Sequence, residues 1–360
     1  MRIVYFLVKP QKPESDPSYN RIFLYCKGLK EKGVDSYLYL IPPTQGKSRI
    51  LILFSIIGNY FKIFSFLLRK AKRNDVLVFY GETLYFLLFP FLSLWYRLVI
   101  ERNEYPNYLI SPGVERKEKS ERFLKRLKYA EGLITCSTYL DKFYRQYLSD
   151  NAWTLIAPLI VNVNDFAQSP SSEKNEDDII LYCGSFNNNK DGIPILIEAF
   201  SELHKKYPTY QLYLVGGGND TEVAKMHKCA EEHAVSDCVV FTGMVPHSSI
   251  PSYFSKAKIF ALARPNNKQA EGGIPSKLAE YMAARKPCVI TSVGDLPNYF
   301  TGGIDCYMAE PSSATSFAKE LEKCILNDNS KMVENAYNKV KSFDYVIQSD
   351  VLLEKLYDER

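Results

Sequence analysis

Short apolar runs alternate with longer amphipathic stretches along most of the chain. In the amino-terminal half, the apolar runs have the length of strands buried on both faces: 3–8, 36–41, 76–80, 97–101 and 132–136. The stretches between and after them predict helices around 22–31, 50–72, 83–95, 115–128 and 138–149. Repeated strand–helix units of this kind predict a parallel sheet with helices on both faces.

The alternation is interrupted once. Residues 157–178 combine prolines, serines and a charge cluster, which is the composition of a linker. Strands are then predicted at 179–183, 211–215, 238–241, 258–263 and 287–291, with helices at 190–207, 220–233, after Pro275 and after residue 312.

We therefore expect an α/β protein with two doubly wound Rossmann-like domains that face a central cleft. Residues 1–165 would form an acceptor-binding domain and residues 166–342 a donor-binding domain. Residues 343–360 would form a final helix that can cross back to the first domain. In open α/β sheets of this kind, ligands bind beyond the carboxyl ends of the strands.

Composition narrows the class of protein. The 360 residues are 46% hydrophobic and 24% charged, which is typical of globular proteins, and the length suggests two domains. The formal charge of +4 argues against a dedicated nucleic-acid-binding protein. The eight cysteines form no C-x-x-C pair, so we expect a reduced cytoplasmic chain without zinc.

Two features bear on a membrane. Of the apolar stretches, 83–96 is interpreted as the one most similar to a membrane span. It is shorter than the about 18 residues that a span requires, and it contains Pro90. The basic stretch 115–128 predicts a helix with Phe123, Leu124 and Leu127 on one face. Such a helix can bind the inner face of an anionic membrane peripherally, or it can pack its apolar face onto the domain.

The segment EGGIPSKLAEYMAARKPCVI (271–290) carries the strongest chemical signal. Pro275 suits the first turn of a helix, and Gly272 and Gly273 let the backbone approach a ligand. The positive end of that helix attracts phosphate, and Lys277 in the first turn adds a further positive charge. Glu280, one turn later, is placed to accept hydrogen bonds from a ribose diol. The alternative is a helix glutamate that pairs with Lys277.

This segment resembles the signature of the family 4 retaining glycosyltransferases, which have the GT-B fold. Residues 132–144, 182–200, 213–220 and 241–263 resemble other parts of that family in the same order. The resemblance implies a metal-independent glycosyltransferase of the hexosyltransferase type. Such an enzyme moves a sugar from a UDP- or GDP-sugar to a glycan or lipid-linked acceptor, with retention at the anomeric carbon, as in cell-surface polysaccharide synthesis.

The resemblance also assigns roles to residues. Glu280 would hold the ribose, Lys190 the diphosphate, and Glu271 the donor sugar, although Glu271 lies nine residues before Glu280 where the family has eight. The family's arginine falls on Ser185, and Lys277 could replace its charge. The predicted catalytic residues are Lys190, Lys277 and Glu271. The predicted donor-binding residues are Gly184, Ser185, Gly216, Gly217, Met244, Val245, Gly272, Gly273, Ile274, Pro275, Ser276 and Glu280. The glycines at 216–218 can equally form a plain tight turn.

The acceptor site is predicted less directly. Many family members have a histidine after the fourth strand, where this chain has ERNEYP (101–106). We expect Glu101, Arg102 and Glu104 to follow that strand and bind a sugar; the alternative is a surface ion pair. Three further candidates lie beyond other strands: Glu82, Tyr19 and Arg21.

No D-x-D motif occurs, so neither a metal nor another cofactor is expected. The expected partners are the nucleotide sugar and the glycan or lipid-linked acceptor, and the oligomeric state stays open. Two alternatives remain. One is a non-catalytic GT-B protein that binds nucleotide sugars. The other is a Rossmann oxidoreductase, which requires G-x-G-x-x-G but would find Thr221 at the third glycine.

Overall fold

The computed structural model describes residues 2–9, 17–43, 48–81, 84–110, 117–167, 178–186 and 190–357. The chain divides into two compact units. The first comprises Met1–Ile160 and Tyr345–Arg360, and the second comprises Val161–Asp344. Among the predicted site residues, Glu82 lies outside the described ranges.

The first unit is built on a six-stranded parallel sheet with the order β2-β1-β3-β4-β5-β6. Its strands are β1 (Val4–Val8), β2 (Ser36–Leu40), β3 (Val76–Tyr80), β4 (Arg97–Arg102), β5 (Gly132–Thr135) and β6 (Trp153–Ile156). Its helices before the linker are α1 (Pro17–Glu31), α2 (Arg49–Lys70), α3 (Phe89–Leu92), α4 (Asn107–Ile110), α5 (Lys117–Leu124) and α6 (Thr138–Arg145).

Two hydrophobic cores lie on opposite sides of this sheet, because successive strand side chains point to opposite faces. On one side, alternate strand residues pack with α2, α3, α5 and α6. On the other side, the intervening residues pack with α1. The fully buried run of β1 follows from this double coverage.

Two helix predictions need correction. The helix predicted at 83–95 is instead a 3₁₀ turn at Leu84–Leu88 followed by the short α3. Pro90 explains the break, since it has no N–H for a preceding turn but is tolerated in the first turn of α3. In α2, the segment Ile50–Lys70 is long and apolar enough to cross a membrane by length and composition.

The apolar face of the predicted basic helix 115–128 is not available to a membrane. Phe123, Leu124 and Leu127 are all buried in the core that also contains α2. The helix itself is shorter than predicted, since α5 ends at Leu124 and a 3₁₀ turn follows at Leu127–Tyr129. Packing onto the domain is therefore the interpretation that the structure supports for these apolar residues.

The second unit has a parallel sheet with the order β12-β11-β10-β7-β8-β9. Its strands are β7 (Ile179–Ser185), β8 (Gln211–Gly217), β9 (Val239–Gly243), β10 (Ile259–Leu262), β11 (Cys288–Thr291) and β12 (Tyr307–Ala309). Its helices are α7 (Asn164–Ala167), α8 (Ile193–His204), α9 (Asp220–Glu232), α10 (Ile250–Lys256), α11 (Lys268–Gly272), α12 (Lys277–Ala283), α13 (Leu296–Tyr299), α14 (Ala314–Leu326) and α15 (Ser330–Val340).

The last helix, α16 (Tyr345–Tyr357), is part of the first unit. It packs against α1, where a Cβ atom on Gly28 would lie 2.1 Å from the Ser349 Oγ atom. Leu352 and Leu356 are fully buried in the core beside α1. Phe343, predicted for this helix, instead ends a 3₁₀ turn in the second unit.

The predicted pair of doubly wound parallel sheets is thus confirmed. The two strands that the apolar pattern did not predict, β6 and β12, both lie at a sheet edge. They are short, with four and three residues, and Thr154 interrupts the apolar run of β6. Edge strands need fewer apolar residues than central ones, so a search for apolar runs misses them.

Candidate functional site

The strand order of the second unit reverses at β7. The chain runs from β7 through β8 to β9 on one side, and then returns to β10, β11 and β12 on the other. Ligands of open α/β sheets bind beyond the carboxyl ends of the strands at such a reversal. Ser185 ends β7, Gly217 ends β8, and Arg264 follows shortly after β10, so all three lie at this edge.

Several glycines at this edge are required by the backbone itself. Gly216 has a φ of +125°, and a Cβ atom there would lie 2.0 Å from the Gly184 carbonyl oxygen. Gly192, the N-cap of α8, has a φ of +67°, and its Cβ atom would lie 1.9 Å from the Ala263 carbonyl oxygen. Only glycine fits such positions. The close packing therefore accounts for Gly216 before any ligand is considered.

Lys277 lies at the centre of a buried polar cluster. Its ammonium group forms an ion pair with Asp191 Oδ2 and donates a hydrogen bond to the Tyr182 hydroxyl at 3.1 Å. The Tyr182 hydroxyl lies 2.8 Å from the same Asp191 oxygen. Arg264 Nε lies 3.5 Å from Asp191 Oδ1. We call Tyr182, Asp191, Arg264 and Lys277 the switch-point cluster.

The cluster keeps Asp191 ionised. Burial alone raises the pKa of this carboxyl, but the positive charges of Lys277, Arg264 and Lys190 outweigh burial and lower the pKa to about 2. Burial and the neighbouring Asp191 charge raise the pKa of Tyr182 well above its usual value, so its hydroxyl stays neutral. Three cations thus surround one carboxylate, which leaves an excess of positive charge.

Arg264 was not predicted from the sequence. It is fully buried, and its guanidinium donates hydrogen bonds to the Gly273 carbonyl and to the Lys190 carbonyl, the second at 3.4 Å. It therefore ties the loop before α12 to the loop before α8. A basic residue directly after the apolar run 258–263 was the signal that could have identified it, since side chains at that point reach the ligand edge of the sheet.

Lys190 and Ser185 lie together at the start of α8. They line a shallow depression with Phe186, Ile193 and Met226. The first turn of the 12-residue α8 adds backbone N–H groups that have no partner within the helix.

The stretch 271–277 contains two helices rather than one. Glu271 lies in the short α11, where its carboxylate forms an ion pair with Lys268 at 2.6 Å. The next helix, α12, begins at Lys277, with Ser276 as its N-cap. Pro275 therefore precedes the helix and does not occupy its first turn as predicted, and α12 has only seven residues.

Glu280 does not pair with Lys277, whose ammonium group contacts Asp191 and Tyr182. Instead, Glu280 lies close to Cys183 near the end of β7. Burial and the Glu280 charge together raise the pKa of the Cys183 thiol to about 12. Tyr281 fixes this placement, because its hydroxyl accepts a hydrogen bond from the Cys183 N–H at 2.7 Å. Glu280 is thus partly exposed at the ligand edge of the sheet.

Met244 and Val245 follow β9 directly. Met244 is 64% exposed, and its Cγ atom lies 3.4 Å from the position of a Cβ atom on Gly217. The carboxyl ends of β8 and β9 therefore bring Gly217 and Met244 together. Beside the buried Gly217, the Met244 side chain presents an exposed apolar surface of the kind that a flat ring can contact.

In the first unit, Arg21 and Glu101 form a buried ion pair. Arg21 lies inside α1, which begins earlier than the helix predicted around 22–31, and it also donates a hydrogen bond to the Ala157 carbonyl at 2.6 Å. Burial alone lowers the pKa of Arg21, but the Glu101 charge raises it overall. Asn103 Nδ2 donates to Glu101 Oε1 at 3.0 Å, whereas Glu101 Oε2 is buried without a hydrogen-bond partner among the described residues.

Arg102 has a different environment from Glu101. The two residues are the last of β4 rather than part of a loop after it, and they point to opposite faces of the sheet. The Arg102 guanidinium lies over the rings of Phe123 and Tyr144 and donates to the Glu104 carbonyl at 3.3 Å. The structure therefore does not bring Arg102 and Glu101 into one site. Tyr19, also in α1, stacks on Phe23.

Among the described residues, no group of three or more His, Cys, Asp or Glu side chains could hold a metal ion. All eight cysteines are free thiols.

Comparison with known proteins agrees with this geometry. Residues 177–327, which lie within the second unit, match the family model described as glycosyl transferases group 1. The chain is also 27% identical over 188 residues to the D-inositol 3-phosphate glycosyltransferase of Corynebacterium jeikeium (strain K411), which covers 50% of this chain and 43% of the relative. The match thus spans less than half of that relative's length.

Solved structures of GT-B glycosyltransferases match over both units. Sucrose-phosphate synthase from Thermosynechococcus elongatus has a TM-score of 0.77 at 17% identity and covers 99% of this chain and 98% of its own. HepE from Anabaena, solved with UDP and glucose, has a TM-score of 0.76 at 16% identity and covers 99% of both chains. At this identity the likeness shows the fold, and the fold is GT-B.

Proposed function

We propose that this protein is a retaining, metal-independent glycosyltransferase of the hexosyltransferase type. It would transfer a sugar from a UDP- or GDP-sugar to a glycan or lipid-linked acceptor, as in cytoplasmic steps of cell-surface polysaccharide synthesis. The observation that carries the proposal is the switch-point cluster, where Lys277 and Arg264 lie against Asp191 and the nearby Lys190 adds a third positive charge. The cluster lies within the region that matches the glycosyl transferases group 1 family model.

The excess positive charge suits the diphosphate of the donor. Lys190 and Ser185 line the depression at the start of α8, whose free N–H groups also favour an anion. Lys277 is held nearby by Asp191 and Tyr182, so its position is fixed before the donor binds. A preorganised cation of this kind can stabilise the charge that grows on the leaving phosphate.

The other parts of the donor would bind at the same edge of the sheet. Glu280 would accept hydrogen bonds from the ribose hydroxyls, and Met244 with Val245 would contact the base. Glu271 would hold hydroxyls of the transferred sugar, which requires that its ion pair with Lys268 opens or is shared.

The reaction proposed is a front-face substitution. The bond between the anomeric carbon and the donor phosphate oxygen breaks as the acceptor oxygen bonds to the same face of that carbon. The departing phosphate oxygen takes the acceptor's proton, so the products are the glycosylated acceptor and a nucleoside diphosphate. In the first unit, Glu104 is a proposed contact to a hydroxyl-bearing ligand. Glu101 is the second, which requires that the site around this fully buried carboxylate opens.

The test is calorimetric titration of nucleoside, nucleoside diphosphate and nucleotide sugar, with turnover measured in parallel. Glu280→Gln should weaken nucleoside and donor alike by about ten- to hundred-fold, since a charged hydrogen-bond acceptor is lost. Lys277→Ala should weaken the diphosphate more than the nucleoside, and Ser185→Arg should partly restore it. Equal losses for both ligands in Lys277→Ala would remove Lys277 from the phosphate site.

One observation favours the second candidate function, a non-catalytic nucleotide-sugar-binding protein. The Lys277 charge is already engaged by Asp191, and Ser185 stands where the family has an arginine. Binding of a nucleotide sugar without hydrolysis or transfer, over a panel of sugars and acceptors, would establish that function in place of catalysis.

A further inference from the structure

The solvent side of α2 is apolar. Six large side chains recur at intervals of three or four residues, which places them on one face of the helix. We call this set the α2 stripe: Ile50, Phe54, Ile57, Phe61, Phe64 and Leu68. They are 67%, 67%, 40%, 71%, 51% and 67% exposed, respectively. Soluble proteins rarely expose a continuous apolar surface of this length without a partner for it.

The opposite side of α2 is fixed to the sheet. Ile63 and Leu67 are buried in the core, and Asn59 Nδ2 donates a hydrogen bond to the Pro42 carbonyl at 2.9 Å. The helix also connects β2 to β3, which both pair in parallel with β1. Because both helix ends return to one sheet, α2 cannot cross a bilayer without breaking that sheet. It can only lie along a surface.

The carboxyl-terminal end of α2 is basic. Exposed Arg69, Lys70, Lys72 and Arg73 follow the stripe, and no acidic residue occurs between positions 49 and 73. Two copies of this surface packed together would therefore bring cations and no carboxylates from this segment into contact. An anionic surface is the complementary partner.

A second exposed apolar group lies beside α2. Phe91, Leu94 and Trp95 are 67%, 69% and 61% exposed. The Asn74 N–H donates to the Trp95 carbonyl at 2.8 Å, so Trp95 adjoins the basic end of the helix. The ring centroids of Tyr60, in α2, and Tyr85 are 5.1 Å apart. Tryptophan beside cations is the composition typical of a protein surface at the lipid headgroup level.

We propose that the α2 stripe, with Phe91, Leu94 and Trp95, is a membrane-docking surface for anionic phospholipid. The helix lies in the plane of the bilayer, the stripe enters the boundary between headgroups and acyl chains, and Lys70, Lys72 and Arg73 contact lipid phosphates. Lys125 and Lys128, exposed on the same side of the sheet as α2, add to the attraction. This membrane contact replaces the one predicted through the apolar residues of 115–128. It does not depend on glycosyl transfer.

The test is co-sedimentation of the full chain with vesicles of phosphatidylcholine plus phosphatidylglycerol, compared with phosphatidylcholine alone. Wild type should bind the anionic vesicles at low salt. The triple variant Phe54→Asn, Phe61→Asn, Leu68→Asn should lose at least about ten-fold in partitioning, since it removes three of the four most exposed side chains of the α2 stripe. The matched control replaces three exposed apolar residues elsewhere, Ile304, Leu326 and Ile347, with asparagine and should bind as wild type does.

The electrostatic contribution to vesicle binding is tested by replacing Lys70, Lys72 and Arg73 with glutamine. A loss of about five-fold per charge is expected, and the remaining binding should depend less on salt. The control places glutamine at the exposed Lys205, Lys319 and Lys331 and should not change binding. All variants should retain the melting temperature and nucleotide affinity of the wild type, which separates this test from that of the proposed function.

Three outcomes would overturn the proposal. One is no vesicle binding by the wild type at low salt. Another is equal binding by the wild type and the stripe variant. The third is a wild-type dimer, seen by analytical ultracentrifugation, that the stripe variant converts to monomer without any vesicle binding, which would assign the surface to a second copy of the chain.

Discussion

Both units place a buried ion pair at the carboxyl ends of a doubly wound sheet, but the two centres differ in charge balance. In the second unit, three cations surround Asp191. In the first unit, one arginine meets one glutamate, and Glu101 Oε2 has no hydrogen-bond partner among the described residues. The same scaffold thus offers an excess of positive charge in one unit and a spare acceptor oxygen in the other. The first suits a phosphate, and the second suits a hydroxyl group.

The largest effect on stability is expected from breaking the Arg21–Glu101 ion pair of the first unit, in which one positive charge meets one negative charge. Arg21→Met leaves the fully buried Glu101 without its counter-ion and should lower the free energy of unfolding by about 3–5 kcal/mol. Urea denaturation monitored by circular dichroism measures this. The double variant Arg21→Met, Glu101→Leu is the control and should recover much of the loss, because no buried charge remains. A double variant as unstable as the single one would show that the charge is not the cause.

The second prediction concerns the pH dependence of stability, which tests the excess of cations around Asp191. The surrounding cations lower the pKa of Asp191 to about 2 in the folded protein, against its usual value of 3.8. Its contribution is therefore present above pH 3.8 and is lost as the pH falls towards 2, with a size of roughly 2 kcal/mol. Asp191→Asn should be less stable than wild type at neutral pH, and the difference in unfolding free energy should shrink in acid. A difference that does not change with pH would contradict the assignment.

The same variant separates stability from ligand binding. Removing the Asp191 charge leaves Lys277 and Arg264 without their carboxylate, so affinity for nucleoside diphosphate should rise by a few-fold relative to nucleoside. Glu101→Gln, the matched change in the first unit, should leave this ratio as it is in wild type. Calorimetry with both ligands measures the ratio. An equal response of the two variants would mean that the charge balance of the two centres does not determine what they bind.

The smallest effect is expected at Tyr182. Tyr182→Phe removes the hydroxyl that contacts both Lys277 and Asp191 but keeps the ring, so it should cost about 1 kcal/mol of stability. Tyr144→Phe, which removes the hydroxyl near Arg102 in the first unit, is the comparison and should cost a similar amount. Only Tyr182→Phe should also alter diphosphate affinity. Loss of that affinity in both variants would indicate a general loss of folding.

Part of the candidate site was predictable because it lies within one short segment. Ser276, Lys277 and Glu280 fall within five positions, so their spacing and the match to a family signature could be recognised directly. The partners of Lys277 could not be recognised in this way. Asp191 is 86 positions away in the chain and meets Lys277 only because the sheet brings the ends of β7 and β10 together near α12.

The first unit shows the same limit at Glu101 and Arg102. Their adjacency suggested a shared site, yet the alternation of side chains along β4 sends them to opposite faces of the sheet. The prediction depended on where β4 ends, and element boundaries are the weakest part of a sequence-based prediction.

The sequence by itself determined the order of strands and helices, the doubly wound class and the motif of the second unit, because these follow from local periodicity and short spacing. Only the tertiary structure decided which charges neutralise each other and which apolar surfaces are covered. The helices α2 and α5 show the physical reason. The apolar residues of α2 would suit a buried helix, yet its stripe is exposed, whereas the apolar face of the basic α5 is buried. Burial depends on what packs against a helix, and that is a property of the whole fold.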